Sequence, residues 1–401
     1  MSDTPLHVFL VAGEESGDRL GGALMRALRE ATGGAVRFSG VGGHDMAEAG
    51  LHSLFALGDL GIVGITSIPR RLPQLLRRIR ETADAVIAAQ PDVLVIIDSP
   101  EFTHRVARRV RGKAPQMLIV DYVCPSVWAW RPWRARAMRR YVDHVLALLP
   151  FEPQALADLH GPPASFVGHP IADRVADIRP DAAEAARRNA DPPVLLVMPG
   201  SRSGELNFML PVFAETVTRL QRSIPDLDVA VLAVPHLARQ VRAAVATWPV
   251  PVRVVVEPAE KNAAMRIARA ALVKSGTGTL ELAVAGVPMV AAYKVPKVEA
   301  LVARLLIRTS SFILANLVLG ERAVPELLQD DCTSDRLAAA LLPLLQQTPA
   351  RDAQLAAFAR LDTIMQIGAL SPSRSAALRV LALATAHQPR QSGVARDAGR
   401  A

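Results

Sequence analysis

Three stretches of this chain carry residues that can move a proton or bind an anion. In the first, Asp98 follows the β-branched apolar run 93–97, which is typical of a strand buried on both faces of a parallel sheet. A carboxylate at the carboxyl end of such a strand is either the cap of the next helix or a general base. Pro100 follows closely and holds the turn, so the sequence predicts a positioned carboxylate at Asp98.

The second stretch is VLLVMPGSRSGELN, residues 194–207. An apolar run of strand length breaks there into a loop with Gly200, Ser201 and Arg202, and helical periodicity follows. Such a unit offers backbone N–H groups and the positive end of a helix to phosphate. The planar fork of Arg202 suits a diphosphate.

The third stretch, ALVKSGTGTLELAVAG, repeats this plan in the same half of the chain. After an apolar run, the loop and the first turn of the next helix contain Ser275, Gly276, Thr277, Gly278, Thr279 and Glu281. The loop predicts a second phosphate-binding turn, and Glu281 could bind ribose hydroxyls. One such loop is a weak indication, whereas the two together predict a nucleotide site.

The elements that must position these residues form two similar halves. The chain opens with HVFLVAGEESGDRLGG, a strand, a small-residue loop and a helix start, where Ser16 or Asp18 could cap a helix that begins near Leu20. We therefore expect an α/β fold with two Rossmann-like, doubly wound domains that face one cleft. A polar segment, 177–193, predicts the boundary between a first domain, 1–176, and a second, 190–349. The tail, 387–401, is predicted to be disordered.

Composition limits the kinds of partner. The 401 residues suit two domains, and the net charge is +8, with five lysines among 46 basic residues. The arginine excess reflects either genome base composition or a phosphate-rich partner. Since no basic block is long, an anionic substrate or membrane surface is favoured over nucleic acid. Cys124 and Cys332 show neither metal-ligand spacing nor a disulfide framework, and no uncharged apolar run is long enough to span a bilayer, so we expect a cytoplasmic protein.

Two basic stretches have more than one interpretation. The first combines an apolar loop with an arginine-rich segment, and its membrane-contact candidates are Ile62, Val63, Ile65, Arg70, Arg71 and Arg77. It is either a surface helix with its apolar stripe in the core and a regular start near Pro73, or an element that rests on anionic lipid. In the second stretch, Trp128, Trp130 and Trp133 alternate with arginines. This pattern could stack on bases or sugars, or form cation–π contacts within one packed loop.

Nine motifs, in this order and at these separations, closely resemble the lipid A disaccharide synthase family over about residues 7–380. They are AGEESGD, LGIVGI, IIDSPEF, PSVWAWR, LALLPFEP, FVGHP, PGSRSGE, SGTGTLE and LANLVLGER. The resemblance implies the two-domain GT-B glycosyltransferase fold, in which the C-terminal helices, about 350–386, return to the first domain.

The resemblance also implies a reaction. The family transfers 2,3-diacylglucosamine from its UDP derivative to 2,3-diacylglucosamine 1-phosphate, giving a β-1,6 disaccharide and UDP, with no cofactor and no obligatory metal. Asp98 would be the catalytic residue. The residues that would bind the UDP-sugar or line its cleft are Ser16, Gly17, Gly200, Ser201, Arg202, Ser275, Gly276, Thr277, Gly278, Thr279, Glu281, Asn316 and Glu321. An enzyme of this kind would work on the cytoplasmic face of the inner membrane, and the sequence leaves room for a homodimer.

Two other functions share these features. A UDP-N-acetylglucosamine 2-epimerase or another GT-B enzyme would have the same halves with different loops, and a peripheral nucleotide-binding module would have the halves without a reaction. UDP release that requires both lipid substrates separates the three. An epimerase needs no acceptor, and a binding module releases nothing.

Overall fold

The computed structural model describes residues 5–60, 68–296, 300, 306, 307 and 309–397, with the side chains of 68–71 and 388–397 left out. Contacts divide the chain into two compact units. The first unit is Met1–Pro170 together with Ala369–Ala401, and the second is Ile171–Gly368. The predicted boundary segment, 177–193, therefore lies inside the second unit. Of the tail predicted to be disordered, 387–401, the backbone is described through residue 397 as the end of the last helix, and 398–401 lie outside the described residues.

The first unit is built on a six-stranded sheet with all of its strand pairs parallel. Its strands are β1 (Leu6–Ala12), β2 (Val36–Val41), β3 (Val93–Ile97), β4 (Ile119–Tyr122), β5 (His144–Ala147) and β6 (Ala164–Phe166). Its helices up to residue 170 are α1 (Glu15–Ala31), α2 (His44–Glu48), α3 (Ile68–Ala89), α4 (Thr103–Lys113), α5 (Trp133–Met138) and α6 (Glu152–Asp158). All five residues of β3 are fully buried, as the apolar run predicts.

The second unit has a second six-stranded parallel sheet. Its strands are β7 (Val194–Met198), β8 (Asp228–Leu232), β9 (Val252–Val255), β10 (Ala270–Lys274), β11 (Met289–Tyr293) and β12 (Glu326–Leu328). Its described helices are α7 (Val175–Ile178), α8 (Ala182–Asn189), α9 (Ser203–Ser223), α10 (Ala238–Val245), α11 (Pro258–Ile267), α12 (Gly278–Val284), α13 (Leu314–Leu319), α14 (Ser334–Leu345), α15 (Pro349–Ala359) and α16 (Leu361–Ile364).

Each sheet reverses its strand order once, next to its first strand. The orders are β2-β1-β3-β4-β5-β6 and β12-β11-β10-β7-β8-β9, so the reversals lie between β1 and β3 and between β7 and β10. Ligands of open parallel sheets bind outside the carboxyl ends of the strands at such a reversal. The loops that follow these four strands are the ones that the sequence marks for chemistry.

The last helix, α17 (Pro372–Asp397), returns to the first unit and packs on α1. Small side chains make this close contact, because Ala376, Ala377 and Val380 are fully buried there. The return begins later than the expected residue 350. Helix α15 belongs to the second unit, where buried Arg351 donates to the carbonyl oxygens of Arg269 and Leu344.

Two helix starts differ from the expected positions. Helix α1 begins at Glu15 and not near Leu20, and the Asp18 carboxylate does not cap it. Buried Asp18 instead accepts hydrogen bonds from three backbone N–H groups at the start of α2, those of Gly43, Asp45 and Met46. Helix α3 begins at Ile68 and contains Pro73, so its regular part does not start at this proline as expected. Tertiary packing can hold a helical turn that precedes a proline.

Part of the arginine excess has a structural use in the second unit. Arg188 donates to four backbone carbonyl oxygens, at 2.9 to 3.1 Å, and buried Arg269 donates to the carbonyls of Arg188, Ala190 and Leu345. A guanidinium has five N–H donors and can satisfy several buried carbonyls at once. These arginines connect helix ends that would otherwise leave acceptors unpaired.

Candidate active site

At the reversal of the first sheet, the end of β3 meets the first turn of α1. The Ser16 Oγ donates to Asp98 Oδ2 at 2.8 Å, and the Ser99 backbone N–H donates to Asp98 Oδ1 at 2.7 Å. Asp98 has a φ of 54°, a left-handed conformation that aspartate tolerates better than most residues. Both carboxylate oxygens are thus oriented, and the half-buried side chain keeps lone pairs for a further donor.

Gly17 permits this approach of helix to strand. A Cβ atom at Gly17 would lie 3.0 Å from the carbonyl oxygen of Ile97 and 3.6 Å from the Cβ of Asp98. A larger residue would push α1 away and lengthen the bond between Ser16 and Asp98. Gly17 is buried, so its contribution is this close packing, and Ser16 lines an adjoining cavity of about 620 Å³.

At the reversal of the second sheet, the loops after β7 and β10 enclose a cavity of about 430 Å³. Among its lining residues are Gly200, Ser201, Arg202, Ser275, Gly276, Thr277, Gly278 and Glu281, together with Lys261 and Lys274. Gly200 has a φ of +126°, which a residue with a side chain rarely adopts, and this turn leads into the N-terminus of α9. The two marked loops therefore line one site.

Glu205 anchors the loop after β7. Its Oε1 lies 3.0 Å from Lys274 Nζ and 3.3 Å from an Arg202 guanidinium nitrogen, and its Oε2 accepts from the Ser201 backbone N–H at 3.2 Å. Burial of the carboxyl opposes ionisation, but Lys274, the Ser201 N–H and Arg202 together outweigh it and lower the pKa of Glu205. The Arg202 side chain is 80% exposed, so its guanidinium has donors left for a ligand.

Glu281 lies between two cations on the opposite wall. Arg174 donates to its Oε1 at 2.7 Å, and Lys261 donates to its Oε2 at 3.2 Å. Burial of the Glu281 carboxyl acts against ionisation, yet Lys261 and Arg174 together lower its pKa. The carboxylate is ionised and retains lone pairs for hydroxyl donors.

Four of the predicted residues are used within the fold of the second unit. Thr279 is fully buried and donates to the Gly276 carbonyl at 2.7 Å, and Ser275 donates to the Phe312 carbonyl at 2.8 Å. The buried amide of Asn316 both donates to the Val324 carbonyl at 2.9 Å and accepts from its N–H at 2.8 Å. Glu321 lies at the surface, 3.0 Å from an Arg360 nitrogen.

The sequence does not predict three cations of this site, which are Arg174, Lys261 and Lys274. Arg174 and Glu281 are 107 residues apart in the chain, so no local sequence pattern predicts their contact. The one indication that the sequence offers for Lys261 and Lys274 is that lysine is rare in this chain, where they are two of five lysines.

The tryptophan segment is a packed loop in the first unit. The Trp128 ring meets Phe151 edge to face, with centroids 5.1 Å apart, and its Nε1 donates to Glu152 at 3.3 Å. The guanidinium of Arg131 lies 4.0 Å from the Trp130 ring centroid. Of the two interpretations, the cation–π contact within one loop is present.

The suspected membrane stretch is described only in part. Ile62, Val63 and Ile65, and the side chains of Arg70 and Arg71, lie outside the described residues. On α3, Ile79 is buried in the core, whereas Leu72 and Leu76 are 43% and 39% exposed beside exposed Arg77. The stripe therefore divides between core and surface. No helix within the described ranges is both long and apolar enough to cross a membrane.

Solved structures similar to this chain share its fold. A putative UDP-N-acetylglucosamine 2-epimerase from Listeria monocytogenes has a TM-score of 0.62 at 14% identity, covering 96% of this chain and 98% of that one. Acinetobacter baumannii MurG has a TM-score of 0.54 at 14% identity, covering 93% and 98%. At such identity the likeness establishes the fold, and the expected GT-B class with two doubly wound parallel sheets is confirmed.

Sequence comparison identifies the family. The lipid-A-disaccharide synthetase family model matches residues 8–378. The lipid-A-disaccharide synthase of Nitrobacter hamburgensis is 60% identical over 374 residues, 93% of this chain and 94% of that protein. That of Rhodopseudomonas palustris strain HaA2 is 58% identical over 380 residues, covering 95% and 97%. The chain belongs to the lipid-A-disaccharide synthase family of glycosyltransferases, which confirms the resemblance of its motifs.

Proposed function

We propose that this enzyme transfers 2,3-diacylglucosamine from its UDP derivative to O6 of 2,3-diacylglucosamine 1-phosphate, with inversion at the transferred anomeric carbon. Family membership supports the reaction class and its nucleotide-sugar and lipid substrates. The observation that carries the proposal is the cavity at the reversal of the second sheet, which Arg202, Lys261 and Lys274 line together with the loop that leads into the N-terminal end of α9. This combination suits a nucleoside diphosphate.

In the donor site, we assign the diphosphate to Arg202 and the α9 N-terminus, and the ribose hydroxyls to Glu281. As the bond between the anomeric carbon and the diphosphate oxygen breaks, charge grows on the leaving UDP. Fixed donors that face this charge stabilise the transition state more than the ground state. The contacts of Glu205 with Lys274 and the Ser201 N–H keep the loop in place beforehand.

In the first unit, we assign Asp98 as the general base. It takes the proton of the acceptor O6 hydroxyl while that oxygen attacks the anomeric carbon and UDP leaves with the bonding electron pair. A single displacement of this kind inverts the configuration. Ser16 and the Ser99 N–H hold the carboxylate in one orientation, leaving a lone pair for the incoming hydroxyl.

The leaving-group charge is met by side chains and a helix end, so we propose that the transfer needs no metal ion. We also propose that α3 and the preceding loop, with Ile62, Val63, Ile65, Arg70, Arg71 and Arg77, meet the anionic inner-membrane surface on its cytoplasmic face. Exposed Leu72 and Leu76 beside Arg77 support this contact, because apolar burial and attraction to anionic head groups together bind a surface helix.

Mass spectrometry of the products tests the proposed reaction. With both lipids and a chelator, the enzyme should form the disaccharide 1-phosphate and one equivalent of UDP, and neither lipid alone should give UDP. UDP or an altered donor sugar without the acceptor would indicate hydrolysis or epimerisation. Loss of turnover that Mg²⁺ restores would contradict the metal-free route.

A further inference from the structure

The first unit also contains a small cavity that the proposed roles leave unused. It measures about 110 Å³ and lies where α4 and α5 approach the loops after β3 and β4. Pro100 and Pro125 line it, so it is at the carboxyl edge of the sheet, the edge that holds Asp98. Three peptide units separate Asp98 from Glu101, another lining residue, so their Cα atoms are at most about 10 Å apart.

The charges around this cavity do not balance. Arg105, Arg108 and Arg134 line it, and Glu101 is the carboxylate among the lining residues. Glu101 accepts from Arg134 at 2.8 Å and from Arg105 at 3.2 Å, and the bond from Arg134 chiefly lowers the pKa of Glu101. Arg108 has no carboxylate partner among the described side chains. The cavity is therefore left with a net positive charge and with unused guanidinium donors.

The wall behind Arg108 is a row of contacting polar and aromatic side chains. The Arg108 guanidinium lies 4.7 Å from the centroid of the Tyr141 ring and donates to the Tyr141 hydroxyl at 3.2 Å. His104 Nδ1 lies 3.1 Å from the same hydroxyl, and His104 Nε2 lies 3.1 Å from Asp121 Oδ2. His104 and Asp121 are buried, so this row of contacts holds the Tyr141 hydroxyl and through it Arg108. Such preorganisation reduces the entropy that ligand binding would cost.

We propose that this cavity binds the phosphate group of the acceptor, a sugar 1-phosphate, by paired hydrogen bonds from Arg108 and Arg105. The inference rests on the proposed function. In the acceptor, the phosphate is on C1 and O6 is carried by C5 through C6, and these two ring carbons flank the ring oxygen, so the phosphate lies within one sugar-ring width of O6. Glu101, which lines the cavity, follows Asp98 by three residues, so the cavity is within reach of the phosphate of an acceptor whose O6 is at Asp98. A planar guanidinium can donate to two oxygens of a phosphate at once, whereas an ammonium group acts as a point charge.

Acceptor kinetics in detergent test the cavity. Arg108→Gln should raise the KM for the phosphorylated acceptor about 10-fold, since it removes charge-assisted hydrogen bonds, and should leave the KM for the UDP donor unchanged. With 2,3-diacylglucosamine that lacks the 1-phosphate, parent and variant should have the same, higher KM. Arg109→Gln is the matched control, because Arg109 is on the same helix but directed to Asp84, at 4.0 Å.

Tyr141→Phe tests the positioning role of the wall. It keeps the ring under Arg108 and removes the hydroxyl that holds Arg108, so the KM for the phosphorylated acceptor should rise by a smaller factor while kcat stays near the parent value. A merely structural role would instead lower the melting temperature and change the KM for both acceptors alike.

The outcomes separate the two proposals. A parent enzyme that forms no disaccharide contradicts the proposed function itself. A productive parent whose Arg108→Gln variant shows an unchanged KM, or an equal rise for both acceptors, overturns the phosphate assignment. A loss confined to vesicle-borne substrate and absent in detergent also overturns it, since the cavity would then bind a bilayer head group.

Discussion

The Ser16 hydroxyl donates to the Asp98 carboxylate at 2.8 Å across 82 residues of chain. The two residues meet because each follows a strand on one side of the reversal, between β1 and β3, and because Gly17 lets α1 approach β3. The bond occupies Asp98 Oδ2 while the Ser99 N–H occupies Oδ1, so it determines which way the carboxylate faces. If Asp98 is the general base, as we propose, Ser16 acts by orienting it and needs no contact with the nucleotide.

Replacing Ser16 by alanine should lower kcat about 10-fold, the equivalent of one hydrogen bond to a charged group, because the base then samples unproductive orientations. The KM for the UDP donor should not change. Steady-state kinetics of Ser16→Ala measure this, with the exposed residue of the same helix, Arg26→Ala, as control. A rise in the KM for the UDP donor at constant kcat would instead show that Ser16 contributes to nucleotide binding.

Asp98→Asn should leave the fold intact and lower kcat about 100-fold or more, the usual loss when a general base is removed. Asparagine tolerates the φ of 54° as well as aspartate does, and it can still accept from Ser16. Parent-like turnover, with the thermal unfolding midpoint unchanged, would rule out Asp98 as the base.

The sequence predicts the sheets and the loops that matter because parallel strands carry a strong local signal. The five fully buried residues of β3 appear as an apolar run, and the loops with Gly200 and Gly276 follow such runs directly. The strand order is not local, and it decides that the loops after β7 and β10 meet in one cavity.

The partners of individual side chains could not be predicted from the sequence either, because they too depend on packing that is not local. Asp18 looks like the cap of its own helix, but α2 is packed close enough for its free N–H groups to take the carboxylate. Leu72 and Ile79 look like one apolar stripe, although only Ile79 faces the core. Local spacing reports which residues share a helix face, not what covers that face.

Arg202→Ala should weaken UDP binding about 10-fold through the loss of a bidentate diphosphate contact, and Arg202→Lys should restore it only in part. Lys274 still pairs with Glu205 in both variants, so the loop stays anchored. Titration calorimetry with UDP measures the effect. Arg222→Ala, an exposed arginine at the other end of α9, is the control and should bind as the parent does. Unchanged affinity in the alanine variant would make Arg202 a loop residue only.

Glu152 should make stability depend on pH. Burial raises the pKa of this carboxyl to about 7, against the opposing bond from the Leu149 N–H, while the unfolded chain titrates near 4.5. Between these pH values the folded protein holds a proton that the unfolded chain releases, so the stability present at low pH is lost as pH rises through 7.

The comparison is with Glu152→Gln, which cannot ionise. The free energy of unfolding of the parent minus that of the variant should fall by up to about 3 kcal/mol from pH 4.5 to pH 8. Denaturant titrations at the two pH values measure it, and a difference that stays constant would show that Glu152 is not held neutral by burial.

The membrane contact proposed for α3 would combine two kinds of attraction, apolar burial and charge. On its inner side, Arg78 is paired with Asp59 and Glu81 and lies over the Phe55 ring, 4.4 Å from the centroid, so it has little charge to offer a membrane. On its outer side, Pro73, Leu76, Arg77 and Arg80 line a groove of about 490 Å³. High salt screens the arginines but not apolar burial, so it should release only part of the protein from anionic vesicles.

Replacing Leu72 and Leu76 together by serine should release the protein at low salt as well, because the apolar half of the attraction is removed while the arginines remain. Both side chains are largely outside the core, so stability should change little. Vesicle sedimentation measures binding, and activity should fall on vesicle-borne substrate but not on detergent-dispersed substrate. Leu378→Ser, 44% exposed on α17, is the matched control and should sediment as the parent does. If the double variant also sediments as the parent does, this face of α3 does not meet the lipid.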